Sequence, residues 1–157
     1  MLAGCGAAAQ PARHASRPAA GPCVEPARAA VARAAGAAAA STRVTAVSPG
    51  QATCVYEAAE LRVSAQVDTN PQAAFRFDRA VVERSQNAVW GSNRRKWPQQ
   101  IFGIGQGADW FPADRELLAT DGRKLVSVSV ARSGMGERPA LRLSRAVAKL
   151  TLARGRA

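Results

Sequence analysis

Histidine, tyrosine and acidic side chains are scarce in this chain of 157 residues. It contains one His, one Tyr and 11 Asp or Glu residues, and aromatic residues make up 5% of the sequence. The length suits a single domain with room for a tail. Together, the length and composition exclude a multidomain enzyme, a polytopic membrane protein and a collagen or coiled-coil rod.

Arginine and alanine are the residues in excess. Of the 22 Lys and Arg residues 19 are Arg, which gives a net charge of +11. Ala takes 36 positions, 20 of them in the first 52, so the 47% hydrophobic content overstates the core because Ala buries little area. The charge is spread along the chain, at +4 for residues 1–50, +2 for 51–100 and +5 for 101–157. This spread argues against one focused basic patch.

The first five residues resemble the lipobox of bacterial lipoprotein precursors. In Leu2-Ala3-Gly4-Cys5, small residues precede a cysteine, and the resemblance implies that Cys5 carries a lipid. Only four residues come before Cys5, so we interpret residues 1–5 as the remnant of a lipoprotein signal peptide. The alternatives are a chance match in an Ala/Gly-rich chain and, if the short N-terminus is genuine, a cytoplasmic protein.

Residues 6–22 have no large apolar side chain and are predicted to form a disordered tether, because they cannot bury enough surface to offset chain entropy. The only histidine, His14, lies in this tether and is interpreted as a solvated linker residue rather than a ligand or base. The tether precedes a single domain over residues 23–153, and residues 154–157 are a C-terminal tail.

Hydrophobic periodicity predicts an α+β fold for this domain. Residues 76–83 align with 142–149, and each segment follows an alternating strand. We therefore expect an antiparallel sheet built from two hairpin–helix units, with the helices on one face. The predicted helices span about 25–35, 71–89 and 139–153, and the predicted strands span 44–47, 54–56, 61–67, 108–111, 116–120 and 124–130.

In the second helix, Phe75 and Phe77 are predicted to belong to the core rather than to form a ligand-stacking pair. Phe75 lies on an apolar stripe with Val82 and Val89, and Phe77 lies beside that stripe.

Three cysteines without a CxxC motif or a Cys/His cluster provide no metal-ligand set, and we predict neither a metal nor a cofactor. With Cys5 assigned to the lipid, Cys23 and Cys54 remain. Outside the cytoplasm they would form a disulfide that closes a loop of about 30 residues and stabilises the fold by roughly 3–4 kcal/mol. In the cytosol they would be two buried, reduced thiols.

Patterns typical of nucleotide binding and catalysis are missing. The glycines at 103, 105 and 107 match neither a dinucleotide-binding fingerprint nor a P-loop, so we interpret them as sites of close backbone approach. Neither S-x-x-K nor G-x-S-x-G occurs, which favours a protein that is not an enzyme. The carboxylates interpreted as turn and hairpin residues are Asp109, Asp114, Glu116 and Asp121.

Basic and aromatic residues around the loop at 91–98 form the candidate binding surface. The loop contains the tightest charge cluster of the chain. The alternative for the tryptophans, Trp90 and Trp110 above all, is that they anchor the core. The predicted surface residues are Arg94, Arg95, Lys96, Trp97, Trp110 and Phe111.

The order of these landmarks resembles a group of secreted actinobacterial lipoproteins that share a domain of unknown function. The resemblance rests on Cys5, Gly21-Pro22-Cys23 before an Ala-rich helix, Cys54-Val55-Tyr56, and the segment from Gly105 to Trp110. It covers about residues 2–152. It implies a disulfide between Cys23 and Cys54 and an extracytoplasmic location on the cell membrane, and it implies no particular reaction or ligand.

We therefore expect a lipid-anchored lipoprotein of the cell envelope with a non-catalytic binding or interaction domain. Expected partners are the membrane through the anchor and an anionic lipid, a cell-wall polymer or another envelope protein, with the chain as a monomer. No nucleic acid is expected. The alternative is a basic nucleic-acid-binding protein, as the sequence pI of about 11.3 would suit.

Overall fold

The computed structural model describes residues 23–89 and 97–154, which form three helices and a seven-stranded antiparallel sheet. The strand order is β1-β2-β3-β7-β6-β5-β4, so two meanders meet where β3 pairs with β7. The predicted α+β class and antiparallel sheet are confirmed. The elements in chain order are α1 (Glu25–Ala35), β1 (Ser41–Ser48), β2 (Gln51–Ala58), β3 (Leu61–Asp68), α2 (Ala73–Val89), β4 (Gln99–Gln100), β5 (Gly107–Phe111), β6 (Glu116–Thr120), β7 (Leu125–Ala131) and α3 (Glu137–Ala153).

The strands of the first meander are longer than their apolar residues indicate. β1 begins at Ser41 rather than Val44, and β2 spans Gln51–Ala58 rather than the predicted residues 54–56. The reason is that ladder hydrogen bonds join backbone groups whatever the side chain, and Ser and Thr suit a half-exposed strand. The β2–β3 connection is therefore short, with Ala59 in the left-handed region at φ 49°.

The two faces of the sheet are covered by different helices. On one face, which we call the α1–α3 face, α1 and α3 pack together over buried strand residues such as Leu117 and Val128. On the other, the α2 face, Phe77 packs against Phe111 and Leu118. Because neighbouring strand residues point to opposite faces, β5 and β6 supply both cores. The expectation that the helices share a face thus holds for α1 and α3, whereas α2 contacts the opposite face.

The two phenylalanines of α2 have opposite environments. Phe77 is only 7% exposed and belongs to the core, as predicted. The prediction for Phe75 is wrong, because its side chain is 65% exposed, and Val82 is exposed as well. The reason is helical geometry: two residues correspond to about 200° of rotation, so Phe75 and Phe77 lie on nearly opposite sides of the helix.

A disulfide joins Cys23, just before α1, to Cys54 in β2, with 5.1 Å between their Cα atoms. This confirms the paired alternative over two reduced thiols. Beside it, the backbone nitrogen of Val24 donates a hydrogen bond of 2.9 Å to the Tyr56 hydroxyl. Burial raises the pKa of Tyr56, although the bond from Val24 acts in the other direction. The first residues of the domain are therefore held firmly against β2.

Gly105 allows the close backbone approach that the sequence predicts. It has φ +56°, and a Cβ atom at this position would lie 2.2 Å from the carbonyl oxygen of Thr120. The next residue, Gln106, donates its backbone N–H to the same carbonyl over 2.7 Å. β5 follows directly, so a strand rather than a phosphate-binding helix comes after this glycine segment.

Within residues 23–89 and 97–154, no helix is long and apolar enough to cross a bilayer.

Candidate functional site

Two residues of the predicted binding surface belong to the core instead. Trp110 is fully buried on the α1–α3 face, where its indole N–H donates to Glu137 Oε1 over 3.3 Å. Phe111 is buried on the α2 face against Phe77. Their assignment to a surface is wrong because helices cover β5 on both sides. The alternative that Trp110 anchors the core is confirmed.

Of the remaining residues of that predicted surface, the described part of the chain contains Trp97. Trp97 is 41% exposed and lies just before β4. The other predicted positions, together with Trp90, His14 and Cys5, lie outside the described residues. The predicted surface residues that lie outside the described structure are Arg94, Arg95 and Lys96.

A polar cleft of about 260 Å³ lies between α2 and the sheet, and we call it the α2 cleft. Arg76, Ala80 and Arg84 line it from the helix, because residues four apart lie on one side of a helix. β3 and β7 contribute side chains from alternate positions. β2 and β6 contribute as well. The sheet residues that line the cleft are Gln51, Gln66, Asp68, Glu116, Leu118, Leu125 and Ser127.

Asp68, the last residue of β3, is the most enclosed charge of the α2 cleft. Its Oδ2 accepts hydrogen bonds from Arg76 at 2.7 Å and from the Gln51 amide at 2.9 Å, and its Oδ1 accepts the backbone N–H of Asn70 at 2.9 Å. Burial by itself would raise the pKa of Asp68. The three hydrogen bonds and the charge of Arg76 outweigh that effect and lower the pKa below its ordinary value of 3.8. Asp68 is therefore ionised at neutral pH.

A second ion pair joins Arg84 to Glu116, the first residue of β6. The hydroxyl of Ser127 donates to the other carboxylate oxygen of Glu116, and Asp114 lies 3.9 Å from the Arg84 guanidinium. That guanidinium also stacks over the Phe111 ring, 4.8 Å from its centroid. Both arginines of the α2 cleft thus have acidic partners, and their charges cancel locally.

The structure agrees with the interpretation of four carboxylates as turn and hairpin residues. Asp121 accepts backbone N–H groups of residues 123 and 124, and Asp114 lies in the β5–β6 connection. Asp109 lies inside β5, where burial raises its pKa, and Glu116 is the first residue of β6, so both belong to the strands of the β5–β6 hairpin. Glu116 also lines the α2 cleft, which was not predicted.

The sequence contained a weak signal for the α2 cleft. The four-residue spacing of Arg76, Ala80 and Arg84 marks a basic side of α2, and Asp68 stands where β3 gives way to the helix connection. Neither signal identifies the partners. The pairing of Arg84 with Glu116 across 32 positions depends on where α2 lies over β6.

A shallow hollow of about 570 Å³ marks the place where the chain enters the domain. Cys23, Val24 and Pro26 line it on one side, and Leu150 and Arg154 line it on the other. The Arg154 guanidinium donates a hydrogen bond to the carbonyl oxygen of Cys23. The start of the domain is thereby fixed beside the C-terminal end of α3.

No protein-family model matches the chain, and no match is found among curated proteins or solved structures. The function is therefore argued from the residues and their geometry. Among the described residues, no group of three or more His, Cys, Asp and Glu side chains is arranged to hold a metal ion.

Proposed function

We propose that the protein is a lipid-anchored, extracytoplasmic lipoprotein of the cell envelope whose domain binds a partner without catalysing a reaction. The Cys23–Cys54 disulfide is the observation that carries this proposal. Reducing systems keep cytosolic thiols apart, so a structural disulfide favours an oxidising compartment. Because these two cysteines are bonded to each other, Cys5 is the thiol left for lipid attachment.

We propose the α2 cleft as the site of partner binding. Its charges are already paired, with Arg76 on Asp68 and Arg84 on Glu116, so a charged ligand would have to displace an ion pair. A neutral, hydroxyl-rich group needs no such displacement, because it can accept hydrogen bonds from guanidinium N–H groups that the ion pairs leave unused and pack against Leu118 and Leu125. A sugar unit of a cell-wall polymer has this chemistry.

The hydrogen bonds of the cleft carboxylates support binding rather than catalysis. Both oxygens of Asp68 accept hydrogen bonds from the protein itself, from Arg76, Gln51 and the backbone of Asn70. Glu116 already accepts hydrogen bonds from Arg84 and Ser127, so its oxygens are engaged by the protein itself.

Metabolic labelling tests the anchor. The chain is expressed with its own upstream DNA in the bacterium that encodes it, in the presence of a clickable fatty acid. We expect label in the membrane fraction, complete loss of the label in Cys5→Ala and full labelling in His14→Ala. Label retained by Cys5→Ala would contradict the proposal.

Retention on purified cell-wall polymer tests the α2 cleft. Ala80→Trp places an indole between Arg76 and Arg84 and is expected to abolish retention, whereas Gln86→Trp at an exposed position of α2 should bind as the wild type does. Equal retention of the two variants would remove the cleft from the proposal while leaving the anchor in place.

A further inference from the structure

The outer side of α3 carries four cations in a row, which we call the α3 stripe: Arg138, Arg142, Arg145 and Lys149. At 3.6 residues per turn, these positions fall within an arc of about 60° and extend along about 16 Å of helix. The buried residues Leu143 and Val147 lie on the other side of α3. The stripe is therefore a surface feature of the folded domain.

Several arginines of β1, β3 and α2 have acidic partners, whereas no cation of the α3 stripe forms an ion pair with a described acidic residue. Arg43 and Arg62 lie within 4.0 Å of Glu57, and Arg79 pairs with Glu83 at 2.7 Å. Among the described residues, no acidic side chain forms an ion pair with any cation of the stripe. The charge of the stripe is thus not neutralised by the described part of the protein.

Glu137, the one acidic residue of α3, forms no ion pair with these cations among the described residues. Glu137, at the first position of the helix, accepts hydrogen bonds from the Trp110 indole and the Gln99 amide. Arg145 instead donates to the backbone carbonyl of Phe102 over 3.4 Å. The side chain of Phe102 is 75% exposed, so the residue that Arg145 contacts also presents a large apolar side chain to solvent.

The α3 stripe also leads to the point where the N-terminal segment joins the domain. Its last member, Lys149, lies five residues before Arg154, which follows the end of α3 and donates a hydrogen bond to the carbonyl of Cys23. Leu150 and Arg154 line the shallow hollow described above, together with Cys23 and Pro26. A chain anchored through the residues that precede Cys23 therefore reaches the domain at one end of the stripe.

We propose that the α3 stripe docks on the anionic phospholipid headgroups of the membrane that holds the anchor. Basic side chains near an anionic surface are attracted to it, and a lipid anchor on the same chain keeps the α3 stripe close to the membrane. The exposed aromatic side chain of Phe102, whose backbone carbonyl contacts Arg145, suits the interface of a bilayer. This inference rests on the proposed lipid anchor for its orientation and goes beyond it by naming the surface and the headgroup charge.

Vesicle sedimentation of the unlipidated chain, carrying Cys5→Ser, tests the stripe apart from the anchor. The vesicles contain either phosphatidylcholine alone or equal parts of phosphatidylcholine and phosphatidylglycerol. We expect binding to the anionic vesicles that is about tenfold tighter than to the neutral ones and that weakens as salt is added. Arg138→Gln/Arg142→Gln/Lys149→Gln should reduce this binding about tenfold.

Two matched variants control for the total charge of the protein and for the loss of the arginine side chains. Arg43→Gln/Arg62→Gln/Arg79→Gln lowers the net charge by the same amount at exposed positions away from α3, and it should bind as the wild type does. Arg138→Lys/Arg142→Lys keeps the charge and should also bind. Circular dichroism of each variant confirms that the domain is folded.

Three results would overturn the inference: equal loss in the two glutamine triple variants, equal binding to both kinds of vesicle, or tighter binding to duplex DNA than to anionic vesicles at the same salt. Fatty-acid labelling of Cys5 with no vesicle binding would leave the anchor and reject the stripe. Vesicle binding without labelling would support the stripe and reject the anchor.

Discussion

Asp68 shows how a buried carboxylate stays ionised inside this domain. It is almost fully enclosed, and it receives three hydrogen bonds, from Arg76, Gln51 and the backbone of Asn70. The bonds satisfy both oxygens and lower the pKa although burial opposes it. Because the side chain joins β3 to α2, it contributes to stability as well as lining the α2 cleft.

Asp68 predicts a pH dependence of stability. Its folded pKa lies below its unfolded value, so its contribution is complete above about pH 4 and is lost as the pH falls through the folded pKa. We expect Asp68→Asn to cost about 1–2 kcal/mol at neutral pH, a figure that allows for the 41% exposure of the Arg76 side chain. Urea unfolding of both proteins at several pH values measures the difference.

The unfolding measurements at low pH distinguish a contribution from the charge of Asp68 from a contribution of its packing alone. The stability gap between the wild type and Asp68→Asn should shrink below about pH 4. Asp78→Asn, at an exposed position of α2, should cost less than about 0.5 kcal/mol. A gap that stays constant into acid would contradict the assignment of a lowered pKa.

Individual residues also show where sequence reasoning fails. Trp110 was assigned to a binding surface on its residue type, and burial under α3 makes it a core residue. Gly105 was interpreted correctly, because a glycine in a strand-rich segment signals close backbone approach. Its contact, the carbonyl of Thr120, is fixed only by the pairing of β5 with β6.

At the scale of elements, α2 and α3 share a sequence pattern but lie on different faces of the sheet. Arg76 to Glu83 aligns with Arg142 to Lys149, and the matched residues Phe77 and Leu143 are both buried. Yet α2 lies over one face of the sheet and α3 over the other. A periodic pattern predicts which side of a helix is buried, but it carries no information about which face of the sheet receives it.

The two phenylalanines of α2 provide a direct test of its packing. Phe77→Ala should lower the free energy of unfolding by about 3 kcal/mol, because it removes the ring that fills the space between α2, Phe111 and Leu118. Phe75→Ala, only two positions away, should change it by less than about 0.5 kcal/mol, because Phe75 is exposed. Urea unfolding measures both variants. Equal losses would mean that α2 is rotated from the orientation described.

For the whole molecule, the Cys23–Cys54 disulfide ties the start of the domain to the centre of the first meander. Cys23→Ala/Cys54→Ala should lower the free energy of unfolding by about 3–4 kcal/mol, because the unfolded chain regains the entropy of an open loop. Denaturant unfolding measures the loss, and intact mass before and after reduction detects the bond.

Cys5→Ala is the control for this prediction, and it should leave the unfolding transition of the purified chain unchanged. An unfolding midpoint that does not move when the wild type is reduced would contradict a structural role for the disulfide. We expect the loss of the disulfide to have a large effect on stability because the core is modest. Many of its buried residues are alanines, which contribute little apolar area.

The distribution of charge also becomes visible only for the whole molecule. Counted by segment, the positive charge is diffuse. In the fold, Glu57 and Glu83 neutralise arginines of the sheet and of α2, while the α3 stripe keeps its charge. Counting along the chain cannot detect this, because a net charge does not say which arginines the acidic side chains contact in the fold.

Local patterns were enough to predict the α+β class, most strands, the three helices and, given an oxidising compartment, the disulfide. Each depends on periodicity, turn residues or the number of cysteines, which are properties of the chain itself. Tertiary structure decided the face that α2 covers, the burial of Trp110 and Phe111, the partners of Asp68 and Glu116, and the unneutralised α3 stripe. These features depend on which surfaces meet, and long-range packing selects among pairings that local sequence leaves equally open.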